Sequence, residues 1–216
     1  MRIGKDGWIQ LPQSLLDEMN WKVDDTLVFQ QVEERLLLYK EGSLGGEALF
    51  VRCFGHFSIE YAGAEIIVKN KKLREMLAFL VSYNNELISK WTIAQQLWPD
   101  SPKTQAMDCL YKVLRGFSES EILVERIPLE IYREQLRIHL SVNELDVLLF
   151  EQFVQSEKRT LWKIALDLYR GGFLEIEYYE WSLLLQIKYE ILFEFFWKKI
   201  KNDDGEFPEN FQQWCL

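Results

Sequence analysis

The chain is poor in the residues on which catalysis and metal binding draw. Of 216 residues, only three are cysteine (Cys53, Cys109, Cys215) and two histidine (His56, His139). Three cysteines, odd in number and far apart, build neither a disulfide framework nor a zinc site; they read as reduced thiols of a cytosolic protein. No HExxH, CxxC or GxSxG pattern occurs, and no glycine-rich phosphate loop. Both histidines fall in predicted strands and read as structural or surface groups. The carboxylates are scattered, as on a solvated acidic surface. No enzymatic activity, cofactor or metal site is therefore expected. No apolar run reaches membrane-spanning length, and the residues after Met1 carry no signal-peptide pattern. A cytoplasmic location with no membrane partner is expected.

What is present is apolar bulk and an uneven charge. The composition is 48% apolar and 14% aromatic, enough for a well-packed core and too much for disorder. The net charge of −9 argues against a simple nucleic-acid binder. Its distribution points the other way. From Lys69 to Arg115 there are eight cations against four acids, so this stretch carries +4 and the rest of the chain −13. Any DNA affinity carried by such a modest charge is moderate and salt-sensitive.

That basic stretch reads as three helices. Leu73, Met76, Leu77, Leu80 and Val81 share one face of the first, which Asn84-Asn85 ends in a left-handed cap. Ser89 caps the second, which carries Ile93, Leu97 and Trp98. Pro99 and Pro102 force a loop, and Thr104 or Ser101 caps the third. In the third, Met107, Leu110, Tyr111, Leu114 and Phe117 form the apolar stripe, while Gln105, Asp108, Lys112 and Arg115 form a polar ridge. A helix of this kind, held by two others, suits the DNA major groove, although most amphipathic helices bind nothing.

Around this stretch the chain divides into residues 1–41, a linker at 42–48, residues 49–142, residues 143–200 and a tail at 201–216. In the first segment, Lys5-Asp6-Gly7 is a hairpin turn, Ile9 to Leu11 a strand ended by Pro12, and Gln13 to Met19 a short helix. Thr26 to Gln31 and Leu36 to Tyr39 are strands. After the linker, Phe50 to Phe54, Phe57 to Tyr61 and Glu65 to Val68 read as strands. Beyond the three helices, Ile122 to Ile127 and Leu136 to Leu140 read as a hairpin. Trp181 to Lys199 is a helix apolar on more than one face. It packs on residues 145–175 alone, or else Phe195 and Phe196 bury against a second subunit or RNA polymerase.

The words and their order resemble known families. Ile3-Gly4-Lys5-Asp6-Gly7, Ile9-Gln10-Leu11-Pro12, Leu15-Leu16 and the two closing strands resemble the AbrB/MazE-like swapped-hairpin domain. That resemblance implies an intertwined homodimer through residues 1–41. With five cations against eight acids, the unit reads as a dimerisation element first. Phe54-Gly55-His56-Phe57-Ser58-Ile59, the turn at Gly63, Leu77-Ala78-Phe79-Leu80 and Leu97-Trp98-Pro99-Asp100 resemble the DNA-binding half of the antibiotic regulatory protein (SARP) family, an OmpR-type winged helix. Leu145-Asp146-Val147 with Phe150, Ala165 to Gly171, Phe173-Leu174 and Trp181 resemble its bacterial transcriptional activation domain, here shortened. Two departures stand out. The wing segment Glu130-Ile131-Tyr132 lacks the family's glycine, and the third helix has fewer basic residues than is usual.

The expected fold is α+β and multidomain: a swapped-hairpin β unit, an OmpR-like winged helix and a C-terminal all-α domain. The expected function is that of a homodimeric DNA-binding transcriptional regulator, an activator that recruits RNA polymerase. Lys103, Thr104, Gln105, Lys112 and Arg115 face the major groove of double-stranded DNA, with Gln105 suited to adenine and Arg115 to guanine or phosphate. Lys69, Lys71, Lys72 and Arg74 contact the backbone and set register. The alternative is a protein-interaction module that keeps the winged-helix shape without DNA binding. A third reading, an antitoxin-like partner, rests on residues 1–41 alone.

Overall fold

A computed structural model describes residues 49–202 and parts of the segment before them. In that earlier segment the backbone forms two antiparallel pairs: β1 (Arg2–Ile3) with β2 (Ile9–Gln10), and β3 (Leu27–Val32) with β4 (Arg35–Lys40). The expected helix at Gln13 to Met19, the linker at 42–48 and residues 203–216 of the tail lie outside the described residues, wholly or for the most part.

From Leu49 the chain builds a three-stranded antiparallel sheet of β5 (Leu49–Arg52), β6 (Ser58–Tyr61) and β7 (Ala64–Glu65). Ala62 and Gly63, both with positive φ, make the tight β6–β7 turn. The expected third strand, Glu65 to Val68, is thus displaced toward the turn and shorter. Helix α1 (Lys71–Ser82) follows, its start capped by Asn70, whose side chain accepts from the Lys72 and Leu73 amides. Asn85 then turns the chain with φ +70°. Asn84 exchanges two 2.8 Å hydrogen bonds with the Leu140 backbone, so the paired asparagines fasten the helix end to a distant strand as well as ending it.

Strand β8 (Ile88–Ser89) leads into α2 (Lys90–Leu97), where the Ser89 hydroxyl accepts from the Thr92 amide as expected. Helix α3 (Lys103–Ser118) has Pro102 at its N-cap position and no side-chain cap; neither Ser101 nor Thr104 fills that role. The stretch Ile122 to Ile127, expected as a strand, is the short helix α4 (Glu121–Arg126). Glu121 in its first turn and Arg126 in its last suit the helix dipole, and only Leu123 is buried. The hairpin begins after Pro128 instead, with β9 (Leu129–Ile131) and β10 (Gln135–Ile138) in a sheet ordered β8-β10-β9. Neither histidine sits in a strand: His56 lies in the β5–β6 connection and His139 just past β10.

Sheet, three helices with a short strand between the first two, the short α4 and a closing hairpin define a winged-helix fold. A helical segment is welded to it: α5 (Asp146–Gln155), α6 (Arg159–Leu168) and α7 (Leu183–Lys201). Buried residues from Leu49 to Ile200 form one continuous core. Its centre is aromatic, with Phe54 in edge contact with Phe150 and Tyr189, and Tyr169 stacked on Phe193 at 3.9 Å. The weld is also polar. The Asp146 carboxylate is buried and accepts from the amides of Cys53, Phe54 and Val147 at 2.7–2.9 Å. Burial outweighs these donors and pushes its pKa up to about 6.

A close crossing lies beside that weld. The Gly55 amide donates to the Gly172 carbonyl at 2.8 Å, and the Leu174 amide to the Cys53 carbonyl at 2.7 Å. Gly171 has φ +141°, and a Cβ there would stand 2.7 Å from Glu175 Oε2 and 3.3 Å from the Gly55 Cα. The Glu175 carboxylate cannot simply yield, since it accepts from the Gly172 amide at 2.8 Å. Gly171→Ala is expected to lower the unfolding free energy by about 1–2 kcal/mol, checked by urea denaturation.

Helix α7 separates the two phenylalanines expected at a partner interface. Phe196 is 2% exposed, edge-on to Phe150 and Trp162 within the chain, whereas Phe195 is 67% exposed. The expectation for Phe196 is corrected: the helical period turns it onto α5 and α6. Phe195 continues an uncovered line with Leu184, Ile187 and Ile191. Phe196→Leu is expected to cost about 1 kcal/mol by lost packing, while Phe195→Asp changes monomer stability by less than about 0.5 kcal/mol. Thermal melts of both variants check this.

Candidate nucleic-acid interface

Helix α3 is positioned by its buried side. Ala106, Leu110, Val113, Leu114 and Phe117 are buried, Met107 is half-buried and Tyr111 exposed. The expected stripe is therefore rotated slightly, and small Ala106 allows close approach to the helices beneath. Lys103, Thr104, Gln105, Asp108, Lys112 and Arg115 are all exposed. The side chains of Gln105, Asp108, Lys112 and Arg115 have no hydrogen bond or ion pair among the described residues. Asp108, one turn before Lys112, thus does not neutralise it by contact. Because no side chain caps α3, its first-turn amides are also free to meet an anion.

The wing is fastened to this helix by a buried cation. Lys90, at the start of α2, donates from Nζ to the Arg133 carbonyl at 2.9 Å and from its amide to the Glu134 carbonyl at 2.8 Å. Its ammonium also lies 5.6 Å from the centre of the Tyr111 ring. Lys90 belongs to the basic stretch in sequence, yet its charge is spent on holding the wing turn beside α3. The turn closes with the Tyr132 amide on the Gln135 carbonyl. At its tip the Arg133 side chain is 95% exposed. Nearby, Glu130 accepts from the Tyr132 hydroxyl and Arg137; these bonds hold its carboxyl below the usual range and raise the Arg137 pKa. With Arg137 fixed on Glu130, Arg133 is the more exposed cation of the wing turn, paired only loosely with its neighbour Glu134 at 3.6 Å. Sequence reasoning overlooked it because the hairpin was set several residues too early; the Arg133-Glu134 pair between two β-prone runs is the signal that marks a turn.

The cations near the start of α1 divide. Lys69 and Lys71 are exposed. Lys72 is half-buried, donating to the Leu97 carbonyl at 2.7 Å, pairing with Glu75 at 2.8 Å and lying against Trp98. Arg74 is half-buried beside the Tyr179 hydroxyl, whose pKa burial pushes up to about 12. The structure thus brings Lys103, Thr104, Gln105, Lys112 and Arg115 together on one helix. It gives Lys72 and Arg74 internal partners. Lys103 also lies 5.0 Å from the Trp91 ring, which orders its stem at the mouth of α3.

Among the described residues, no cluster of histidine, cysteine and carboxylates has metal-binding geometry, and no helix is long and apolar enough to cross a membrane. The arrangement offers instead a helix with an amide, two cations unpaired among the described residues and an open N-terminus, flanked by a wing bearing one exposed arginine. Such a set can contact phosphates and base edges together.

No protein-family model matches the chain, and no curated protein matches it in sequence. Among solved structures it is similar to Mycobacterium tuberculosis EmbR in complex with a low affinity phosphopeptide, at 17% identity and a TM-score of 0.47. The likeness covers 71% of this chain and 42% of that one, so the chain spans less than half of that protein's length.

Proposed function

We propose that the protein is a DNA-binding transcriptional regulator of the SARP type, with α3 as its recognition helix. The observation that carries this reading is the ridge of Gln105, Lys112 and Arg115. It is exposed and unpaired among the described residues, on the helix that a winged-helix fold presents to the major groove. Lys103, Thr104 and the α3 amides meet the backbone at one end, Arg133 at the wing. Lys69 and Lys71 extend the phosphate contacts, while Lys72 and Arg74 act through the packing of α1. The protein acts as a homodimer through residues 1–41, since two-stranded pairs this small bury too little surface alone. The uncovered line on α7 supports an activator that docks on RNA polymerase. The test is fluorescence anisotropy of the full chain with mixed genomic fragments across salt, then sequencing of the fragments retained. Affinity falling steeply with salt, with enrichment of particular sequences, is the expected result. Absence of both sinks the reading.

A second reading, an interaction module without DNA binding, is favoured by the same α7 line together with the acidic total. It predicts no binding to any fragment at any salt.

A further inference from the structure

A cavity of about 590 Å³ lies where the start of α1, the end of α2 and the segment Ile176 to Trp181 meet. Its size falls in the range of small-molecule sites. Buried polar side-chain atoms without a hydrogen-bond partner are few among the described residues: Arg74 Nε, Glu177 Oε2, Trp181 Nε1 and Trp197 Nε1. The residues bearing three of these four line this one cavity. Glu177 is the most telling. Its side chain is 1% exposed, and Oε1 is taken by the Phe57 amide at 2.9 Å and His56 at 2.8 Å, leaving Oε2 unanswered. A buried carboxyl oxygen without a partner is costly, and native structures seldom keep one idle.

The unanswered atoms differ in sign. Arg74 and Trp181 offer donors; Glu177 asks for one. Lys71 and the first turn of α1 add positive potential, and Asp100 and Glu180 add negative. Lys72 and Glu75 answer each other and cancel. A simple anion would satisfy one half of this set and be repelled by the other, as would a simple cation. We propose that the cavity binds a small zwitterion of the α-amino acid class, its carboxylate held by Arg74 and Trp181 Nε1 and its ammonium by Glu177. The volume leaves room for a side chain against the stacked Tyr179–Trp181 pair, whose rings lie 5.4 Å apart. The three atoms are covered from solvent in this conformation. Tyr178, between Glu177 and Trp181, has left-handed backbone (φ +53°) and is 86% exposed, and the ligand reaches the three atoms by displacing the side chains that cover them. Since α1 and α2 support α3, occupancy fixes the recognition helix against the lead-in to α7. The binding itself does not depend on the DNA reading.

The test uses the full chain and titration calorimetry with each common L-amino acid in turn. At least one is expected to saturate with a Kd between about 10 μM and 1 mM. Its methyl ester and its N-acetyl derivative, each lacking one charge, should bind at least about tenfold more weakly. Glu177→Gln, which keeps an acceptor for the Phe57 amide, should weaken binding by a similar factor. Should that variant not fold, the derivative series on the natural chain decides alone. No saturable binding by any amino acid up to about 10 mM overturns the proposal, as does binding of the ester or the acetyl form as tight as that of the parent amino acid. DNA affinity measured with and without the ligand is a separate readout, so failure of the DNA reading would leave calorimetric binding intact.

Discussion

Asp146→Ala is expected to remove about 3–5 kcal/mol from the unfolding free energy, the largest single effect on stability in this protein. The substitution strips the acceptor from three amides that have no route to water. Cys53 and Phe54 leave β5 with their N–H groups aimed at the carboxylate, and Val147 is the next residue of α5. Each stranded amide costs about 1–3 kcal/mol. The carboxylate also joins the winged helix to its helical extension, so the loss spreads. Val51 bridges to Leu145, and Phe54 to Phe173, at the same crossing. Urea denaturation should show a large fall in midpoint with little change in slope. A loss below about 1 kcal/mol would mean that water replaces the carboxylate and the weld is apolar after all.

The same group gives a pH signature of known sign. Its folded-state pKa is raised from 3.8 to about 6 by burial. The folded state therefore holds this proton more tightly than the unfolded state does. Its contribution is fully present below about pH 4 and is lost as pH rises through about 6, a change on the order of 2–3 kcal/mol. Asp146→Asn cannot titrate, so the stability gap between the natural chain and this variant should narrow as pH rises from 4 to 7.

Local signals were legible in the sequence, and long-range ones were not. The apolar face of α1 and the Ser89 cap of α2 follow from spacing within a single turn or two, and both appear as expected. Ile122 to Ile127 deceived because a run of β-branched and apolar residues is equally a short helix; the serine before it and the charges at its ends were the better guide. In α3, periodicity alone put Tyr111 inside. The structure exposes it because buried Lys90 comes up beneath the ring to hold the wing. No spacing rule announces that a lysine in a basic stretch will be buried. Asp146 lies 93 residues from Cys53 and Glu177 120 from Phe57, so the weld and the cavity exist only once the chain has folded. The ridge on α3 was legible as a ridge. That Asp108 leaves Lys112 unpaired was not.

Lys112→Ala/Arg115→Ala is expected to weaken binding to a retained DNA fragment by about a hundredfold at moderate salt, each side chain contributing about 1–3 kcal/mol. Both side chains are exposed and make no hydrogen bond or ion pair among the described residues, so thermal stability should change by less than about 0.5 kcal/mol. That separation makes the double variant informative: lost affinity without lost stability can come only from a contact made outside the chain. The salt dependence then assigns roles. If both cations sit on phosphates, the slope of log affinity against log salt should fall by nearly 2, at about 0.9 for each contact. If Arg115 reads guanine, its share appears as lost discrimination, and Arg115→Lys should lose nearly as much as Arg115→Ala because an ammonium lacks the planar fork. The chain has few cations on this surface and carries −9 overall, so it cannot rely on bulk attraction. Each contact must therefore matter more than in a strongly basic protein. An unchanged affinity in the double variant would show that α3 is not the reading helix and would move the function to the uncovered face of α7.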